Sequence, residues 1–324
     1  MRAAGGQKRH PLPGPLPEGE GLPIAVSGLR KAYGRKLALH DLSLVVQPGE
    51  VFGFLGPNGA GKTTTVKILL GLVRPTAGQA RLFGQAAGDP RARRRVGYLP
   101  ENFRFHDWLT GEQLLDFHAR LAGMSGAERR RRIPEVLALV GLADRGRDRI
   151  RAYSKGMTQR IGLAQAIVHE PDLVLLDEPT SALDPVGRRE VRDLIRDLRT
   201  RGMTVFLNSH LLSEVELVCD RVAIVDRGHV VRSGRLADLL AEGTPHLSLT
   251  VDRVDPDLLA LLGHHAEVLD VRDCTVRLRA CEPETAPLLA DAVVRAGYRL
   301  YALVPGQTSL EDVFLGLVEA TSDR

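Results

Sequence analysis

Between residues 24 and 234 the chain alternates short apolar runs with longer amphipathic stretches. This is the pattern of an α/β domain built on a buried, mainly parallel sheet. Four runs, VFGFL, LVLLD, TVFLNS and RVAIVD, are short and uninterrupted, which predicts inner strands. Between about residues 109 and 150 the strand pattern stops. There TGEQ at Thr110 and SGAE at Ser125 have the capping-box form ahead of amphipathic runs, so a helical insertion is expected over about residues 102–152.

After Gly234 a second pattern begins. LSLTV, PDLLALLG, EVLDV, VRLRA, TAPLLADAVVRAG and YALV read in order as βαββαβ, a split βαβ or ferredoxin-like arrangement, and predict a small α+β domain over residues 235–324. SLEDVFLGLVEA predicts a terminal helix begun by Ser309, with acidic residues in its first turn where they complement the helix dipole. Residues 1–22 are rich in Pro and Gly and lack the apolar centre of a signal peptide, which leaves a disordered leader or a start codon assigned too early as the readings.

The longest apolar runs have the length of buried strands and fall short of a bilayer span. Net charge is +4, from 44 Lys and Arg against 40 Asp and Glu, too small a bias to imply nucleic-acid binding. Local runs say more: RARRR before the insertion and RRRR at residues 129–132 read first as solvated helical faces, and second as contacts for anionic headgroups or an acidic partner loop. Cys219, Cys274 and Cys281 lack zinc-like spacing and fit reduced thiols.

The chemistry sits at two strand ends. Gly56, Pro57, Asn58, Gly59, Ala60, Gly61, Lys62 and Thr63, followed by Thr64, fit G-x-x-x-x-G-K-[ST] between a strand and a helix, the setting that makes the pattern a P-loop. Glycines let backbone N–H groups curl around β- and γ-phosphates, Lys62 adds charge, and the Thr63 hydroxyl is placed for Mg²⁺. LVLLDEP ends a buried strand on Asp177 and Glu178, where carboxylates are costly unless a charged group occupies the site. Mg²⁺-nucleotide is such a group, with Asp177 on the metal side and Glu178 placed to polarise an attacking water.

YSKGMTQR, some two dozen residues before the acidic pair, completes a resemblance to the ATP-binding subunits of ATP-binding cassette (ABC) transporters. The expected fold class is that of a P-loop ABC ATPase with a helical insertion (residues 23–234), plus the small C-terminal domain. The resemblance implies that Ser154 and the N–H of Gly156 press on the γ-phosphate held by a second subunit. It also implies that Tyr33 stacks on adenine, that Asp184 in SALD joins the subunits, and that His210 contacts the γ-phosphate. Lys155 and Met157 depart from the commonest signature, which has Gly and Gln there, and YSKGM looks like the form in bacterial exporters whose permease is a separate polypeptide. Glu101 in GYLPEN stands where the family usually has Gln, and a carboxylate there can still face Mg²⁺ or its waters.

The resemblance therefore implies a homodimer of ATPase subunits that uses ATP and Mg²⁺, at the cytoplasmic face of the cell membrane, with an integral-membrane permease as partner and no nucleic acid. The alternative is a soluble ABC-type ATPase acting on ribosomes or DNA. A single P-loop, and no sustained heptad run between Lys62 and Ser154, count against it.

Overall fold

The computed structural model describes residues 21–181, 183–241, 246–279, 285–306 and 308–322. Cys281, Ala182 of SALD and residues 1–20 of the expected leader lie outside them. Leu22 is already tied in, its carbonyl accepting from the Phe83 N–H at 2.9 Å. The chain folds as two compact units that divide after Gly234.

In the first unit the strands are β1 (Ile24–Tyr33), β2 (Lys36–Val46), β3 (Val51–Leu55), β4 (Ala77–Leu82), β5 (Gln85–Ala86), β6 (Val96–Leu99), β7 (Leu173–Asp177), β8 (Thr204–Ser209), β9 (Arg221–Asp226) and β10 (His229–Arg235). The helices are α1 (Lys62–Leu69), α2 (Pro90–Arg93), α3 (Gly111–Leu121), α4 (Gly126–Leu139), α5 (Lys155–Ile167), α6 (Pro185–Thr200) and α7 (Leu212–Glu216). A six-stranded sheet runs β10-β9-β3-β8-β7-β6, with β9, β3, β8, β7 and β6 parallel. Every residue of β3, β7 and β8 is buried, as uninterrupted apolar runs in a covered parallel sheet must be.

A second sheet, β2-β1-β4-β5, is antiparallel. It adds to the expected buried, mainly parallel sheet a second sheet that the sequence pattern did not predict. Its strands are part-exposed and interrupted by register shifts at Val26/Leu29 and Leu29/Lys31, so their alternation is broken in the sequence.

Both capping boxes of the insertion form: the Thr110 hydroxyl accepts from Gln113 N–H while Gln113 returns to Thr110 N–H, and Ser125 pairs with Glu128 likewise. The arginine run on α4 is not a uniform solvated face. Arg132 is 4% exposed and donates to the carbonyls of Val168 and Ile167, both at 3.3 Å, at the C-terminal end of α5. Helical periodicity puts residue 132 on the inner face beside Ile133 and Val136, which leaves Arg131 outside. In the other run, Arg95 stacks on Phe83 and pairs with Asp172 at 2.6 Å.

The second unit contains α8 (Leu236–Ala241), β11 (His246–Val251), α9 (Pro256–Gly263), β12 (Glu267–Arg272), β13 (Thr275–Arg279), α10 (Thr285–Arg295), β14 (Leu300–Gly306) and α11 (Leu310–Ser322). Its sheet order, β12-β13-β11-β14, is antiparallel throughout and is the ferredoxin-like one. Leu249, Leu258, Leu262, Val276, Leu278, Leu289 and Val293 form its own core. Ser309 precedes α11 and its hydroxyl accepts from Asp312 N–H at 3.2 Å.

Candidate functional site

The loop from Gly56 to Gly61 is pinned at both ends by contacts that leave no room for a side chain. Gly56 has φ +159°, and a Cβ there would collide with the Val225 carbonyl. At Gly61, φ +99°, a Cβ would lie 2.5 Å from the Leu39 side chain and 2.7 Å from the Ala38 carbonyl. From behind, the β9–β10 turn braces the loop, with Gly228 N–H donating to the Ala60 carbonyl at 3.0 Å and the Gly228 carbonyl accepting from His40 N–H at 2.8 Å. Gly61 caps α1 without a side chain, so the first-turn N–H groups of the helix and its positive dipole end face outward.

That end opens on a cavity of about 290 Å³ lined by Tyr33, Lys36, Ala38, Pro57, Asn58, Gly59, Gly61, Lys62, Thr63 and Thr64. Tyr33 is 48% exposed, with the Lys31 ammonium 4.9 Å from its ring centre, and offers a flat apolar face. Lys62 is buried and donates to the carbonyls of Gly56 at 2.6 Å and Pro57 at 3.3 Å. Burial pushes its ammonium below the usual lysine range, opposed by the charges of Glu178, Asp177 and Glu101. Thr63 is exposed at the start of α1.

Asp177 ends β7, buried, one strand from Asn208 on β8. Burial raises its carboxyl above the usual range; the Asn208 amide bond pulls it down, Glu101 and Glu178 push it up, and Lys62 pulls it down again. Glu178 follows with φ +51°, a left-handed backbone held by its N–H on the Asn208 carbonyl at 2.9 Å. That turn aims its carboxylate away from Asp177, toward His210 Nδ1 at 2.8 Å and Ser209 Oγ at 3.4 Å. Glu101 is exposed at the end of the β6 segment.

The chain brings together the P-loop, Tyr33, Asp177, Glu178, Glu101 and His210, and leaves others apart. Ser154 is exposed at the N-cap of α5, its hydroxyl accepting from Met157 N–H at 3.2 Å, with Gly156 in the first turn. Asp184 caps α6 through the Gly187 N–H at 2.8 Å. Neither these three nor Glu101, Asp177, Glu178 and His210 line the P-loop cavity itself; the three acidic residues act on it through the charge of Lys62, and His210 through Glu178. Two contributors escaped the sequence reading: Lys36, in the cavity wall, and Asn208, whose only signal is a polar residue inside an otherwise apolar strand, TVFLNS.

The donors near Lys62 are oxygens from hydroxyl and carboxylate groups, the set preferred by a hard cation such as Mg²⁺. Among the described residues no three His, Cys, Asp or Glu side chains converge enough to hold an ion alone.

A strand, a phosphate-cradling loop and a helix, with an acidic pair ending a parallel strand two places away in the same sheet and a helical insertion between them in sequence, define a P-loop nucleoside triphosphatase. A family model described as ABC transporter matches residues 39–181. The chain is 48% identical over 234 residues to the ABC transporter ATP-binding protein all4389 of Nostoc sp., covering 69% of this chain and 70% of that one. It is 33% identical to the linearmycin resistance ATP-binding protein LnrL of Bacillus subtilis over 92% of this chain and 99% of that one. Among solved structures it resembles a dimeric post-hydrolysis state of the ATP-binding cassette MJ0796 bound to ADP and Pi, with a TM-score of 0.59 and 27% identity over 66% of this chain and 98% of that one. The chain belongs to the ATP-binding proteins of ABC transporters, and it is an ATP-binding and ATP-hydrolysing subunit.

Proposed function

We propose that the chain powers export through a separate integral-membrane permease, working as a homodimer at the cytoplasmic face of the membrane. The observation that carries the dimer is that Ser154 stands exposed at the N-cap of α5, its hydroxyl on the helix's own Met157 N–H. Ser154 and the Gly156 N–H, at the N-terminal end of a 13-residue helix, suit the γ-phosphate on a second copy. Asp184 would join the copies between the two sites.

Each site would use the residues in these roles. Tyr33 stacks on the base. The P-loop amides from Gly56 to Thr64 and the Lys62 ammonium hold the β- and γ-phosphates. Thr63, Asp177 and Glu101 would hold Mg²⁺, which when bound offsets charge on the phosphates. Glu178 orients the attacking water and takes its proton, and His210 keeps the Glu178 carboxylate aimed while reaching the γ-phosphate. Closure of the dimer on ATP and opening after hydrolysis would form the stroke.

Export is favoured by the similarity to LnrL, a linearmycin resistance ATP-binding protein. No helix among the described residues is long and apolar enough to cross a membrane, so the stroke must reach a partner that does. Trp108, 66% exposed ahead of α3, and Leu121, 70% exposed at its end, offer apolar surface on the insertion for that partner. Residues 235–324 would form an accessory domain. Affinity purification of the tagged chain from detergent-solubilised membranes of its host, with mass spectrometry of what co-purifies, tests the reading. A stoichiometric multi-span protein supports it; recovery with ribosomes, with DNA or alone removes transport as the purpose of the ATPase.

A further inference from the structure

Asn208 is 1% exposed on the central strand β8, opposite Asp177 in the register of β7 and β8. It holds both acidic residues: its side-chain N–H donates to Asp177 Oδ1, and its main-chain carbonyl accepts from Glu178 N–H. Its own Oδ1 is the one buried side-chain oxygen or nitrogen without a hydrogen-bond partner among the described residues. The amide cannot rotate to relieve this, since the reverse orientation would set a carbonyl oxygen against a carboxylate. A buried acceptor left without a partner is costly, because it has given up its water for nothing. A packing role alone would be met by an apolar side chain, as at Val205, Phe206 and Leu207 on the same strand.

We infer that Asn208 is a positioning residue for the divalent ion: its N–H fixes the Asp177 carboxylate, and its Oδ1 accepts a hydrogen bond from a water that arrives with the hydrated ion. The inference rests on the assignment of Asp177 to the metal side of the site. Two groups of one rigid amide then serve a single purpose, since the donor orients the carboxylate and the acceptor orients the water beside it.

The test is a Mn²⁺ titration of the full chain saturated with ADP, with free Mn²⁺ read by electron paramagnetic resonance and no turnover required. Asn208→Leu, close to Asn in shape but without either polar group, should weaken Mn²⁺ binding by about 10–100-fold, the usual cost of losing an outer-shell partner. Asn208→Ser, which keeps a donor and an acceptor on a shorter side chain, should shift it less in the same direction, and decides the matter if the Leu variant does not fold. Thermal midpoints without metal report the structural contribution separately. Native Mn²⁺ affinity in the folded Asn208 variants, alongside lost affinity in Asp177→Asn, would overturn the inference and leave the Asp177 assignment standing. Native affinity in Asp177→Asn would remove both.

Discussion

Lys62→Ala tests the phosphate site most directly. The ammonium sits on the carbonyls of Gly56 and Pro57, with Glu178, Asp177 and Glu101 close enough to act on it. A phosphate oxygen about 4 Å from that charge, at an effective dielectric constant of about 20, gains about 4 kcal/mol. Reaching toward it weakens the two carbonyl bonds, and their net worth returns roughly 1 kcal/mol. The remaining ~3 kcal/mol corresponds to a loss of about a hundredfold in ATP affinity at about 1.4 kcal/mol per decade. Isothermal titration calorimetry with Mg²⁺ and ATP measures it, and thermal unfolding without nucleotide confirms that the variant is folded. A loss below about fivefold in a folded variant would mean that Lys62 serves the loop carbonyls and not a phosphate.

Glu178→Gln should bind ATP normally and lose turnover by about 10²–10⁴-fold, the usual worth of a positioned base, while a dimer accumulates on size-exclusion chromatography with ATP; near-native turnover contradicts the assignment. Ser154→Arg should keep ATP binding and abolish ATPase activity, and retained activity would remove the cross-subunit site. Arg132→Ala should cost about 3 kcal/mol in urea unfolding, because two buried carbonyls lose their donor, whereas Arg131→Ala should stay within about 0.5 kcal/mol; equal values would refute the distinction drawn within the run. Burial holds the His118 and His169 imidazoles below their ordinary 6.5, so the unfolded chain takes up protons first and stability falls as pH drops through 6.5. The urea midpoint should therefore fall between about pH 7.5 and pH 5.5, and fall less in His118→Gln/His169→Gln; an identical fall in both proteins assigns the effect elsewhere.

Legibility in the sequence followed how local each determinant is. The P-loop, the acidic pair and the capping boxes are contiguous strings whose backbone geometry demands particular residues, so VFGFL followed by GPNGAGKT already places Lys62 at the head of a helix. The antiparallel sheet was not legible, because β1 buries Ile24, Ala25 and Val26 in a row and then only Leu29, β2 alternates only from Leu42 to Val46, and the register shifts break the rhythm further. Arg132 and Asn208 were hidden for a different reason. What makes each of them matter is a partner far along the chain, Val168 for the first and Asp177 for the second, and a one-dimensional pattern cannot show which of four arginines turns inward or which strand lies beside β8.

The same distinction explains why a single chain carries the parts of a site without assembling them all. Glu178 is held from behind by β8 and from the side by His210, so its direction is set before any nucleotide arrives. Ser154 spends its hydroxyl on its own Met157 N–H, as an N-cap does, and remains exposed. A capping hydroxyl retains lone-pair capacity and its own O–H, so it can donate to an anion while still accepting from the helix. The P-loop face is thus preorganised within the chain, and the N-terminal end of α5, with Ser154 exposed, is the half that the proposed function assigns to a second copy. The proposed homodimer would let two copies exchange these halves about a two-fold axis, which would give two equivalent sites from a single sequence.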